Sequence, residues 1–145
     1  MEVEMAEELA SQTTVKDTVN ILIYSDDATT RREILTAVGA RAAKGLPQIS
    51  WTETATQAVA LSTVKEGDFD LLILDAETPK LGGMGLGKMI HDEIDPDIPF
   101  VVLIGRPQDE WLSRWSGAAV TVPYPIDPRV LSEAVASVLR TRVSA

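Results

Sequence analysis

Phe69-Asp70-Leu71-Leu72-Ile73-Leu74-Asp75 is the stretch that decides the fold. Four apolar residues stand in a row with no polar alternation, closed by an aspartate at each end. A run this short and this uniformly apolar reads as a strand covered on both faces. Two other stretches have the same character: Val19-Asn20-Ile21-Leu22-Ile23-Tyr24 and Phe100-Val101-Val102-Leu103-Ile104. Between and around them the period changes. Val59, Ala60, Leu61 and Val64 fall at helical spacing over 55–66 and stop at Gly67. After the loop from Ala76 to Gly83, a helix is expected over about 84–94.

The outer segments complete the alternation. Ile34, Leu35 and Val38 predict a helix over 29–43, stopped by Gly45 and Pro47. Ile49–Thr52 alternates like a strand. Residues 107–116 predict a short helix, 118–122 a last strand and 127–141 a last helix with Val130, Leu131, Val135, Val138 and Leu139 on its buried face. Five strands alternating with five helices give an α/β, doubly wound parallel sheet. The flavodoxin-like strand order 2-1-3-4-5 is expected. The ligand end of such a sheet is where the strands deliver their carboxyl ends.

Composition narrows the chemistry. The chain has 145 residues, which suits one domain, and no cysteine. Disulfides, thiolate metal sites and cysteine nucleophiles are excluded, and a cytoplasmic setting is expected. A single histidine, His91, rules out multi-histidine metal centres. The formal charge of −9 argues against sequence-independent binding of nucleic acid. No apolar run approaches the roughly 20 residues of a membrane span, so direct membrane insertion is not expected. Residues 1–18 are read as an acidic N-terminal extension. Within it, Val3, Met5 and Leu9 form an apolar stripe that a partner would cover. Residues 19–141 are the folded domain and 142–145 a C-terminal tail.

The strand ends carry acids. Ser25, Asp26 and Asp27 follow the first strand, and Asp75 closes the third. Carboxylates converging at one end of a sheet suit a weakly held Mg²⁺, through Asp26, Asp27 and Asp75. Asp27 also stands where the first helix needs its cap.

These residues carry a resemblance. Leu72-Ile73-Leu74-Asp75-Ala76-Glu77-Thr78-Pro79, followed by Gly82-Gly83-Met84, resembles the third strand and loop of bacterial response-regulator receiver domains. Asp75, Pro79 and Gly83 reproduce the family spacing. Asp26 and Asp27 resemble its acidic pair, with Ser25 and Asp26 as the alternative register. Pro99, Tyr124 and Pro125 also fall in place. The resemblance spans 19–141. It implies Asp75 as the phosphoacceptor, Mg²⁺ as its cofactor and a histidine kinase as phosphate donor.

The departures from that family point elsewhere. Its hydroxyl residue at the end of the fourth strand is Ile104 here, followed by Gly105. Its lysine after the fifth strand is Tyr124, which brings a hydroxyl and no charge. Its aromatic position in the fifth strand is Thr121. The expected reading is therefore a degenerate, stand-alone receiver without an output domain. It is non-enzymatic and acts by binding another protein or a multiprotein complex. Some actinobacterial receivers of this type resemble an accessory subunit on respiratory complex I, which implies a location at the cytoplasmic face of a membrane complex.

Three further features have competing readings. Gly82-Gly83-Met84-Gly85-Leu86-Gly87-Lys88 matches a phosphate-loop pattern, but Met89 stands where Ser or Thr is needed and the segment does not follow the first strand. A glycine-rich helix start is the plainer account. His91, beside Asp92, Glu93 and Asp95, is expected on a solvated helix end. Trp111 and Trp115 share a helical face. They belong either to an interface or to the core, with at least one expected in the core.

Overall fold

The computed structural model describes residues 17–144. Five parallel strands form one sheet in the order β2-β1-β3-β4-β5, as the alternation predicts. They are β1 (Thr18–Tyr24), β2 (Gln48–Thr54), β3 (Leu71–Asp75), β4 (Phe100–Ile104) and β5 (Val120–Pro123). The helices are α1 (Ala28–Val38), α2 (Gln57–Glu66), α3 (Gly83–Glu93), α4 (Glu110–Ser116) and α5 (Pro128–Ser144).

Alternate residues of each central strand enter opposite cores. Ile21, Ile23, Leu71, Ile73, Val101 and Leu103 pack with Ile34 and Val38 of α1 and Leu131, Val135 and Leu139 of α5. Leu22, Leu72, Leu74, Phe100, Val102 and Ile104 pack with Ala60 and Val64 of α2 and Leu86 and Ile90 of α3. Every residue of β3 and β4 is buried. That is why these strands read as unbroken apolar runs. Each such side chain contributes roughly 1.5–3 kcal/mol on burial.

Four boundaries move for local reasons. α1 ends at Val38 rather than 43, because Gly39 takes φ 74° and returns its N–H to Leu35. The Ala40 carbonyl is then taken by Ile49 N–H of β2, at 2.7 Å. The expected helix over 107–116 divides into a 3₁₀ turn, Pro107–Asp109, and α4. β5 begins at Val120 rather than 118, because Ala118 N–H still closes the end of α4 on the Ser113 carbonyl. α5 runs past 141 to Ser144, and Arg142 reaches Asp70 at 3.9 Å.

The glycine-rich segment is a packing device. A Cβ on Gly83 would lie 2.7 Å from the backbone of Leu74, and one on Gly87 would lie 2.5 Å from the Phe100 ring. Four residues apart, they let α3 lie against β3 and β4. Lys88 pairs with Asp92 at 3.6 Å and sits 5.1 Å over the Trp115 ring, which leaves no phosphate cradle in this segment.

Candidate functional site

β3 ends on Asp75, which is 4% exposed. Both its oxygens are engaged. Oδ2 accepts from Ser25 Oγ at 2.7 Å, and Oδ1 accepts from Glu77 N–H at 2.9 Å. β1 ends at Tyr24, so Ser25 takes the place facing Asp75 and Asp26 comes next. Ser25 Oγ also accepts from Asp27 N–H at 3.2 Å, and Thr78 Oγ1 accepts from Asp26 N–H at 3.4 Å. The pocket floor is thus a closed polar lattice of short side chains and main chain.

The three expected metal acids do not converge. Asp26 and Asp27 are exposed. Asp27 turns its Oδ1 to Thr29 N–H, at 2.8 Å, and caps α1. Among the described residues no three His, Asp or Glu side chains gather as a metal cluster. Asp27 is spent on the cap, while each Asp75 oxygen accepts one hydrogen bond and keeps a further lone pair.

Neither Ile104 nor Tyr124 brings a cation to Asp75, and the Arg31 guanidinium is held on the Ser25 carbonyl at 2.7 Å. Ile104 is buried at the end of β4. Tyr124 takes the position after β5 and carries its hydroxyl inward, near Asp75 and Thr30. The hydroxyl is buried yet makes no well-formed hydrogen bond to either. Burial above all, then the negative charge of Asp75, pushes its pKa far above the ordinary phenol value. The phenol is therefore neutral at any physiological pH and cannot balance a dianionic group.

A second surface is built the opposite way. α4 buries Ser113 and Ser116 and exposes Trp111 and Trp115, at 61% and 66%. The expectation that at least one tryptophan joins the core is corrected. Ser113 Oγ lies 2.6 Å from Thr121 Oγ1, so a hydroxyl pair docks the helix on β5 and there is no room for a tryptophan beneath it. Beside it, β5 is a sheet edge. Val120, Val122, Val130 and Ala134 line an apolar groove of about 470 Å³ between β5 and α5. His91 also departs from expectation. It is partly buried, tilted on Phe100 at 4.8 Å, with Nε2 2.7 Å from the Ile98 carbonyl.

Sequence reasoning missed two partners. The Glu77 side chain accepts from Gly105 N–H at 2.6 Å. Ser113 and Ser116 hold α4. The signal for the latter was present, since positions 113 and 116 fall opposite 111 and 115 on a helix.

No family model matches the chain. It is 43% identical over 122 residues to uncharacterized response regulatory proteins of Mycobacterium tuberculosis strains CDC 1551 / Oshkosh and ATCC 25618 / H37Rv, covering 84% of this chain and 92% of each relative. The chain belongs to the response-regulator receiver family. Solved receivers share its fold at low identity. The signal receiver domain of an HD domain-containing protein from Pseudomonas fluorescens Pf-5 superposes with a TM-score of 0.75 at 20% identity, over 91% of this chain and 94% of that one. A CheY-like receiver from Methanospirillum hungatei JF-1 gives 0.67 at 22%, over 86% and 96%. In this structure Asp75 closes β3, Ile104 closes β4, Thr121 lies in β5 and Tyr124 follows it.

Proposed function

We propose that this receiver is a non-enzymatic, protein-binding accessory module that docks through α4, the edge of β5 and α5, without using phosphate on Asp75 as its switch. One observation carries the reading: α4 turns two tryptophans to solvent while burying two serines. Large aromatic area left in water marks an interaction site, and tryptophan is among the residues that most often anchor one. Val130, itself 46% exposed, extends the apolar surface across the groove. At the other site, Ile104 brings no polar group and Tyr124 brings a neutral hydroxyl but no positive charge for a phosphoryl group.

The partner is a protein or multiprotein complex met in the cytoplasm. A respiratory complex rests on the family resemblance alone. Among the described residues no helix is long and apolar enough to cross a membrane. The stripe of Val3, Met5 and Leu9 lies outside the described residues and remains a second proposed contact. A different reading, phosphate acceptance on Asp75 from a histidine kinase, is favoured by the place of Asp75 at the carboxyl end of β3.

Photo-crosslinking in the native cell tests the choice. A crosslinking residue at exposed Arg114 on α4 should capture a partner, and one at exposed Glu33 on α1 should not. Capture at 114 should persist in Asp75→Asn. Capture lost in Asp75→Asn would move the case to the phosphorelay.

A further inference from the structure

Glu77 joins the acidic pocket to the docking face. Its N–H donates to Asp75 Oδ1 at 2.9 Å, and its carboxylate crosses to β4 and accepts from Gly105 N–H at 2.6 Å. That distance is short for N–H···O and belongs to a charge-assisted bond. Gly105 comes directly after β4, two residues beyond Leu103, which pairs with Asp75 in the sheet. The neighbouring main-chain donors are already used: Ala76 N–H on the Leu103 carbonyl and Tyr124 N–H on that of Ile104. The Gly105 amide is therefore a donor left over at the exposed strand end, and a carboxylate of the same chain takes it.

The Glu77 carboxylate lies close over Gly105. A Cβ there would overlap the Glu77 carboxylate oxygen. From Gly105 the chain runs directly to the docking helix. Arg106 is fixed by two bonds to Asp109, each 3.1 Å, and α4 starts at Glu110. The guanidinium also feels the Glu77 charge. The position of α4 is thus referred back, through five residues, to one carboxylate two residues from Asp75.

We propose that Glu77 is a tethered anion held on the Gly105 amide just beyond β4, and that it fixes the β4–α4 connection in one permanent position. The inference rests on the docking reading only for its consequence. Its geometry is tested without a partner.

The test is amide and indole NMR on the full chain, comparing wild type with Glu77→Ala and Glu77→Gln. Trp51 is an internal control, because its Nε1–H bonds the Gly39 carbonyl at 3.0 Å beside β2, far along the sheet from β5. In Glu77→Ala, Gly105 amide exchange should rise about tenfold or more as the charge-assisted bond is lost. The indole signals of Trp111 and Trp115 should shift while that of Trp51 stays. Glu77→Gln, which keeps a neutral acceptor, should fall between. Unchanged Gly105 exchange in Glu77→Ala would overturn the tether. Faster exchange with all three indole signals unmoved would overturn the fixing of α4. A shift of all three together would mean general loosening and would also overturn it. Failure of crosslinking at 114 in wild type counts against the docking reading and leaves these signals to decide this one.

Discussion

The carboxyl end of β3 and the outer face of α4 solve opposite problems. At Asp75, acids and hydroxyls that could face a ligand are turned on one another: Ser25 and the Glu77 amide on Asp75, Asp27 on its own helix, Glu77 on Gly105. At α4, residues that could fill a core are turned to water, and serines take their place beneath. A polar site closed on itself has little left to offer a ligand. An apolar surface left open has its free energy still to gain. On the proposed reading, that difference puts the working surface at α4 and gives the acidic pocket a structural part.

The largest expected effect comes from removing what is open. The double variant Trp111→Ala, Trp115→Ala should lose partner capture at least about tenfold, consistent with hot-spot truncations of roughly 2 kcal/mol or more. Its thermal midpoint should stay near wild type, since both rings are largely exposed. A midpoint drop matching a core deletion would show instead that the rings stabilise the fold.

Next is the contact that holds the face in place. Ser113→Ala strips the partner from the Thr121 hydroxyl and should cost about 1–2 kcal/mol in urea unfolding. Ser113→Thr, keeping the hydroxyl, separates the bond from the packing if its extra methyl is tolerated. Equal loss in both variants would assign the cost to volume.

A smaller effect of opposite sign is expected in the pocket. Tyr124→Phe removes a buried hydroxyl without a partner, so stability at neutral pH should hold or rise by up to about 1 kcal/mol. The pH dependence follows from the raised pKa. The unfolded phenol releases its proton near 10.0, while the folded one keeps it. The contribution is complete below pH 10 and is lost as pH rises further. Wild type should therefore lose stability more steeply than Tyr124→Phe above that point. Parallel curves would contradict the burial of the hydroxyl. Smallest of all, millimolar Mg²⁺ should leave the thermal midpoint almost unmoved, and a rise of several degrees would restore the metal reading.

Much of this was legible in the sequence, for a physical reason. Strands buried on both faces must be apolar throughout, and β3 and β4 announce themselves in that way. The order of Asp75, Pro79 and Gly83 was equally plain. Less visible were features set by one contact across the fold. α1 ends early because Gly39 turns to φ 74°, and the Ala40 carbonyl then meets Ile49 of β2, a pairing between segments that sequence spacing does not show. Asp27 looked alike as ligand and as cap until its Oδ1 was seen on Thr29 N–H. Glu77 stood out only as part of the loop after β3, because its side-chain partner lies 28 residues away at Gly105. Trp111 and Trp115 share a face in any helix, but which face looks inward depends on Ser113 meeting Thr121.

The most direct test is the yield of the crosslink at Arg114, measured in one experiment for wild type, Asp75→Asn and the double tryptophan variant. Asn can keep the Glu77 bond through Oδ1 and face Ser25 with its amide, so the fold should change by no more than about 1 kcal/mol. The account predicts wild-type yield in Asp75→Asn and near-total loss in Trp111→Ala, Trp115→Ala. Loss in Asp75→Asn with retention in the tryptophan variant would contradict it.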